Sequence, residues 1–591
     1  MKILFDIETD GLNPTVIHQL CTMNMSDNTT KSFNGDTLKD GYEYLRQATQ
    51  LIGHNIIGFD LPVLERLAGL TFDGIEIVDT LVLSRLGNPD RPGGHGLAAW
   101  GATLGFPKVE HEDWSQWSPE MEKRCSVDVE LNALVYHRLV GMSDAMPVAV
   151  KIEHDTATVV RDMCARGVAF DERGGQDFLD LLMTEKEAYE EQASDLLPSR
   201  YFKAGPVRVY KKAPNKANAM HGLVPAGVEW QPVTYRKLSL GSRTDLVLYL
   251  KSTYDWEPTQ FTNTGQAQVN DEVLQGLPWP ETQLMAKYFK AVKMIGYLNS
   301  ERKENGRGGG WLHHVTSEGK LHANFISLRA VTGRPSCVAP NLQQVSTDPR
   351  ARELFKPRSG WRMVGVDADG QELRCLGHYL SRYDDGEYGR EVVEGDIHSR
   401  IQQLIGFETR NGTKPVEYGL IYGAGNPKLG MIALKDAMSV GKTLRTSIPN
   451  RGKQIRRAIL EGITGFKQLL EDVKGKAKAT GKLKGLDGRT LWVRSPHSAL
   501  NLLLQSAGII HMKKSISMVD GYLRNAGLKE DEDYGLILWV HDEMQLQARD
   551  EVAELVGKTV ARCIEDAAVS LGFRVPMTGT YQIGDNWSQT H

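Results

Sequence analysis

Carboxylates are the residues here whose spacing most plainly invites chemistry. Near the start, KILFDIETDG carries Asp6 and Glu8 two apart after an apolar run. On a strand, residues i and i+2 face one way, so the two acids project together. Facing carboxylates repel unless a divalent cation sits between them. HNIIGFD places His54, Asn55 and Asp60 around a short turn into a helix. CSVDVELNALVYHRL reads as an amphipathic helix with Asp128 near its start. Four acids from three segments, Asp6, Glu8, Asp60 and Asp128, could bind two Mg2+ ions. Such a pair can activate a water and stabilise the leaving 3′ oxygen of a phosphodiester.

A second set lies far down the chain. WRMVGVDADGQELRCLGHYL starts as a buried strand and reaches Asp367. LILWVHDEMQLQ has strand character on both sides of His541-Asp542-Glu543, so a strand–turn–strand would set Asp542 at its tip. Only folding can join Asp367 to Asp542. On neighbouring strands the two could hold two Mg2+ ions at a transferring phosphoryl group. Between them, TRNGTKPVEYGLIYGAG repeats Arg410, Lys414, Tyr418 and Tyr422 every four residues, which on a helix share one broad face. Two cations suit a triphosphate, and two aromatics suit a base and sugar. Each signal alone has a plainer reading: solvated acids at a strand end, a surface turn, a polar helix face.

The elements that position these residues need several cores. The chain has 591 residues, 41% hydrophobic and 24% charged, which predicts a globular protein of about three to five units. No apolar run is long enough to span a bilayer, and two acids by position 8 argue against a signal peptide. Six scattered cysteines form no CxxC pair, against a zinc site and for a reducing, cytoplasmic setting. The net charge is −4, yet residues 442–489 hold 13 Lys/Arg against 4 Asp/Glu, or 13 − 4 = +9. Such a stretch can neutralise phosphates. Residues 145–250 carry long amphipathic runs that read as helices, interrupted by a Pro-, Gly- and Lys-rich stretch at 198–240 that reads as an inserted flexible or β-hairpin tip. Pro415 predicts a helix that starts near Lys414 or is kinked there.

In order and spacing, the first three segments resemble the DEDD exonuclease superfamily, and the whole run from Asp6 to His591 resembles family A DNA polymerases. It is most similar to the replicative polymerases of short-tailed phages that recruit host thioredoxin. The resemblance implies an α+β multidomain protein: an RNase H-like 3′→5′ exonuclease domain, then a right-hand polymerase with thumb, antiparallel-sheet palm and helical fingers. The boundaries it implies are 1–145 exonuclease, 146–310 thumb with the tip at about 198–240, 311–400 palm, 401–485 fingers and 486–591 palm again. DADGQELR matches motif A, implying Asp367 and Ala368 as metal ligands and Glu372 as a steric gate against a ribose 2′-OH. RNGTKPVEYG matches motif B, implying Arg410 and Lys414 for triphosphate and Tyr418 and Tyr422 near the incoming nucleotide. VHDE matches motif C, implying Asp542 as metal ligand with His541 and Glu543 beside it. GDIH supplies His398 in the fingers. TGRPSCVAPNLQQV implies primer–template contacts from Arg334, Asn341 and Gln343; RSPHSALNLLLQSAG implies Arg494, His497 and Gln505 near the nascent pair. Asp6, Glu8, Asp60 and Asp128 carry over as exonuclease metal ligands. One departure stands out: Arg124 occupies the place of a tyrosine four residues before the last acid.

The function so implied is template-directed addition of dNTPs to a primer 3′ end by two-metal phosphoryl transfer, with proofreading, in replication of phage-type DNA. Implied partners are primer–template DNA, host thioredoxin or another processivity factor, and a replicative helicase–primase; implied cofactors are two Mg2+ per site. A phage-encoded chain would work in the host bacterial cytoplasm. A silent DNA-binding scaffold would lack the motif acids, which are present; Glu372 argues against ribonucleotide use; a stand-alone nuclease leaves the last 350 or so residues without a role.

Overall fold

The computed structural model describes residues 1–109, 111–203, 205–212, 224–258, 261–262, 265–301 and 308–591. The amino-terminal sheet has five strands, β1 (Lys2–Thr9), β2 (Ile17–Asn24), β3 (Thr30–Asn34), β4 (Gln50–Gly53) and β5 (Glu76–Asp79), in the order β3-β2-β1-β4-β5. β1 runs antiparallel to β2 and parallel to β4, and β4 parallel to β5. The central strands are almost wholly apolar because helices cover both faces. Leu4, Ile52 and Val78 pack with Cys125, Val129 and Tyr136 of the helix Pro119–Leu139, while Ile3, Phe5 and Leu51 pack with Leu61 and Leu64 of the helix Asp60–Ala68 on the other side.

The helix bearing Asp128 differs from the sequence expectation. Its cap is Ser118, whose side chain accepts from the Met121 N–H, with Pro119 as first helical residue. Asp128 therefore sits mid-helix, not near the start. Ser-Pro followed by Glu is the stronger start signal, and it lies upstream of the apolar periodicity.

Helices Pro147–Arg166 and Glu172–Leu196 lead to the inserted segment. There Ser199–Lys203 pairs antiparallel with Val233–Lys237, and Arg208–Val209 with Glu229–Trp230. Residues 204 and 213–223, part of the expected tip, lie outside the described residues. Helices Arg243–Tyr254 and Pro280–Asn299 follow, with their own core around Leu246, Leu250, Met285 and Phe289.

The carboxyl-terminal sheet has four strands, β6 (Trp361–Ala368), β7 (Tyr534–Val540), β8 (Glu543–Arg549) and β9 (Gly579–Gly584), all antiparallel in the order β7-β8-β6-β9. Every residue of β7 is buried. Helices Ala499–Asn525 and Asp550–Ser570 supply much of the covering layer, with Trp539 and Trp587 in the core. A helical unit is inserted between β6 and β7. It holds Ile397–Ile405, Thr413–Ile421, Asn426–Ser439, Ile448–Gly462 and Phe466–Thr480, packed around Ile401, Val416, Leu429, Ile455 and Leu469.

Candidate functional site

Asp367 and Asp542 meet at one end of the carboxyl-terminal sheet. β6 runs antiparallel to β8 with Asp367 opposite Glu543, and the Ala368 N–H donates to the Asp542 carbonyl at 3.2 Å. The β7–β8 turn is tight: His541 adopts φ 58°, an uncommon conformation for a side-chain-bearing residue. The Trp539 indole N–H donates to the His541 carbonyl at 3.1 Å and fixes the turn that presents Asp542.

Neither carboxylate makes a hydrogen bond or ion pair among the described residues. Their neighbours are otherwise engaged. Asp369, in the same DADG run, accepts from Thr578 Oγ1 at 2.8 Å and Thr580 Oγ1 at 3.0 Å. Glu543 accepts from the Trp587 indole at 2.5 Å and Gln545 at 2.6 Å, and lies 2.9 Å from His591 Nδ1. Burial, then repulsion from Asp542 and Glu543, pushes Asp367 up to about 7. Burial, then Glu372, pushes Asp542 up to about 6. Burial acts the same way on Glu543, but bonds from His591 and Gln545 hold it below its ordinary value. His591 at Asp367 and Arg334 at Asp542 offset the rise only in part, and two destabilised anions with no ion-pair partner among the described residues suit divalent cations. Glu543 instead ties the carboxyl terminus to the sheet.

A cleft lined by Arg334, Gln343, Gln371, Glu372, His541 and Asp542 opens beside this pair. Glu372 Oε1 accepts from the Tyr422 hydroxyl at 3.0 Å. Asn341 spends its Oδ1 on the Gln343 N–H, 3.1 Å away. Gln505 is half-buried on the helix Ala499–Asn525, and His497 is exposed just before it. Arg494 is exposed and engaged elsewhere: its Nε donates to Asp90 Oδ2 of the amino-terminal unit at 2.8 Å.

The four-residue ladder departs from one continuous helix face. The helix is Thr413–Ile421, so Arg410 lies in the turn before it and Tyr422 at its C-cap. Pro415 has no N–H and tolerates only a first turn, so the helix begins at Thr413; Gly423, at φ 75°, ends it. Lys414 is exposed and Tyr418 half-buried, its phenol pushed up to about 12 by burial and then Glu372. Arg410 makes two bonds to Asp396, at 2.9 and 3.0 Å. His398 Nδ1 lies 2.7 Å from Glu417 Oε2. Sequence reading missed Asp396 and Glu417. An acid in a cap and an acid inside a motif helix carry no spacing signal.

The amino-terminal acids also converge. The Ile7 N–H donates to Asp60 Oδ1 at 3.1 Å, which docks the helix start against β1. Burial, then Asp60, Glu8 and Asp128, raises Asp6 well above the carboxylate range. Burial pushes Glu8 and Asp60 up to about 7. Arg124 Nε donates to Glu8 Oε1 at 3.2 Å and stands 4.0 Å from Asp128, with its other side on the Val109 carbonyl and the Trp114 ring. It is neither turned to solvent nor paired first with Asp128. Lys108, which sequence reading missed, reaches Asp128 Oδ2 at 2.5 Å. The Cys125 thiol, raised far up by burial, donates to the Asp6 carbonyl at 3.4 Å.

Comparison with known proteins agrees with this geometry. Over 92% of both chains, the sequence is 28% identical to DNA-directed DNA polymerases of Enterobacteria phage T3 and Escherichia phage T7. In fold it is similar to the POL domain of Pol1 from M. smegmatis in complex with DNA primer-template and dNTP, with a TM-score of 0.70, 17% identity, and coverage of 99% of this chain and 95% of that one. The family model for DNA polymerase family A matches residues 228–589, which include Asp367, the 410–422 segment and Asp542. That match covers more than half of the chain and holds both aspartates of the carboxyl-terminal centre, so the chain is a member of DNA polymerase family A.

Proposed function

We infer that the two carboxylate centres act on the same primer end in opposite directions. The chain is a DNA-directed DNA polymerase. The observation that carries the synthetic site is the Asp367–Asp542 pair: half-buried, raised by burial and neighbouring carboxylates, and without an ion-pair partner among the described residues. Family A enzymes use divalent metal ions, and we propose two Mg2+ held by Asp367, Asp542 and the backbone of Ala368. When bound, such ions acidify the primer 3′-OH and neutralise the triphosphate. The protein groups do the rest. Arg410, Lys414 and His398 receive the phosphates, and Lys414 can protonate the pyrophosphate leaving side. Tyr418 and Tyr422 flank base and sugar, and Glu372, braced by Tyr422, fills the space a 2′-OH would need. Arg334, Asn341, Gln343, Gln505 and His541 line the primer–template path in this reading; Arg494 would have to leave Asp90 to join them. On this reading the β6–β9 sheet is the palm, 401–485 the fingers and 146–310 the thumb.

We further propose that Asp6, Glu8, Asp60 and Asp128 form a 3′→5′ exonuclease centre within residues 1–145. Four converging acids with raised pKa values support this reading. Arg124 and Lys108 partly neutralise them. A processivity partner such as thioredoxin is proposed for the inserted segment, where Tyr201, Val207, Val209, Val228 and Tyr235 are exposed; a helicase–primase and the bacterial cytoplasm complete the expected setting. The test is primer extension with Asp367→Ala and Asp542→Ala. Each is expected to lower nucleotide addition by about a thousandfold or more while primer–template binding survives. Extension within tenfold of the unaltered protein would reject the assignment.

A further inference from the structure

Glu417 stands inside the motif helix, 4% exposed, among the apolar side chains of Leu373, Ile401, Leu420 and Ile459. A carboxylate there is costly, and an aliphatic residue of similar volume would pack the same space without loss. Its two oxygens have no hydrogen-bond partner among the described residues except the close approach to His398, whose Nδ1 lies 2.7 Å from Oε2 and is itself buried and otherwise unpartnered. A buried, unsatisfied acid demands an explanation, and its position offers one. Lys414 is one turn earlier on the same helix, and Arg410 lies just before that helix. His398 and Asp396 approach from the helix Ile397–Ile405 and its cap, and Tyr388 from the helix Glu387–Glu394. Asp396 is already committed to Arg410. Glu417 is thus the carboxylate within reach of His398.

We propose that Glu417 is a positioning residue of the triphosphate site, which shares one proton with His398 and so keeps the imidazole able to meet a phosphate as a cation. This rests on the reading of His398 as a triphosphate contact. Burial pushes Glu417 up to about 7, against the pull of Lys414 and Arg410, while burial, Lys414 and Arg410 push His398 below its ordinary value. A proton taken up at this 2.7 Å contact then belongs to the pair rather than to either group. Before nucleotide arrives, that proton can rest on the carboxylate, which spares a buried charge beside two cations. A polyanionic triphosphate favours the imidazolium, so the proton moves to the ring and Nδ1–H faces the freed carboxylate. The other ring nitrogen is left for phosphate in a charge-assisted bond. No proton enters or leaves the pair, and no covalent bond is made.

The test is steady-state incorporation of one dNTP by the full chain between pH 6 and 9. It is paired with dNTP binding to a complex on dideoxy-terminated primer. In Glu417→Gln the amide cannot hold the proton, and His398 is left neutral beside Lys414 and Arg410. The expected result is a dNTP KM raised about five- to tenfold at pH 8, closing to within about twofold of the unaltered protein at pH 6, with the effect on KM rather than kcat. All variants share the ionisation of dNTP itself, so the ratio at each pH is the readout. His398→Ala should raise KM at every pH, and adding Glu417→Gln to it should change nothing further. If Glu417→Gln follows the unaltered profile, or is weaker by the same factor at all pH values, the proposal fails while the reading of His398 stands. If His398→Ala leaves KM unchanged, the reading of His398 fails and takes the proposal with it. A thermal melt of each variant separates these outcomes from misfolding, and Glu417→Asp, which keeps a carboxylate, should recover part of the pH 8 loss.

Discussion

Glu372 lines the cleft beside Asp542, and its bond to the Tyr422 hydroxyl decides where it points. In the gate role proposed above, a carboxylate so braced would block a 2′-OH by volume, not by hydrogen bonding. Glu372→Ala should therefore raise ribonucleotide over deoxynucleotide incorporation by about tenfold or more, as opening a shaped pocket does. Competition between rATP and dATP on one template measures it. Tyr422→Phe should relax the gate less, since the carboxylate loses its brace but stays present; an unchanged sugar ratio in both variants would reject the gate. Arg124 poses the opposite case, a side chain whose sequence position suggested several roles. Its bond to Glu8 places a cation that cannot accept a proton among the four acids. Arg124→Tyr is expected to speed single-turnover excision of a mispaired 3′ end by about tenfold. Slower excision would mean that Arg124 itself stabilises the charge growing on the phosphate.

Two kinds of element carry these residues. Rigid ones present the acids: β1 and β6 are pinned by ladders and largely buried, and the β7–β8 turn is held between two buried strands. The helical unit between β6 and β7 presents the cations from short helices and turns, where Asp396 holds Arg410. The paired strands around 199–237 form a third kind. They expose Tyr201 at 68% and Tyr235 at 54%, with the two rings tilted at 47° and their centroids 4.8 Å apart. Apolar rings on a two-stranded ribbon are unusual without a cover. Deleting residues 199–237 should leave single-nucleotide addition intact and shorten the product per binding event severalfold, read on a long template with a DNA trap. Equal product length would reduce the segment to a surface ribbon.

The units are tied together by charges deep inside the molecule. Lys513, fully buried, lies 2.6 and 2.7 Å from the Glu153 carboxylate oxygens. Arg489 Nη1 approaches the same carboxylate at 2.6 Å, and Arg489 Nε donates to Asp487 at 2.8 Å. Helix 147–166, the hairpin at 482–492 and helix 499–525 thus meet at one balanced network. Removing a single member leaves a buried charge uncompensated, so Lys513→Met should cost about 3–5 kcal/mol in denaturant unfolding. Glu153→Leu with Lys513→Met removes one charge of each sign and leaves Arg489 with Asp487, so the double variant should lose less than Lys513→Met alone. A larger loss in the double variant would show packing, not charge, to be the controlling factor.

The sequence by itself determined which residues could do the chemistry and in what order they come. Strand periodicity set Asp6 beside Glu8, motif spacing singled out Asp367, Asp542 and the 410–422 run, and Pro415 marked a helix start. These are local properties, governed by periods of two and 3.6 residues and by proline's missing N–H. Only the tertiary structure decided the partners. Asp369 and Glu543 look as available in sequence as Asp367 and Asp542, yet Thr578, Thr580, Trp587 and His591, all from the last residues of the chain, occupy them. Tyr422 rather than Tyr418 braces Glu372 because the helix ends at Gly423 and turns the last tyrosine out of the four-residue ladder. Lys108, Asp396 and Glu417 join sites through contacts between separate elements. A partner across a fold is set by how helices and sheets pack, and no spacing along one segment encodes it.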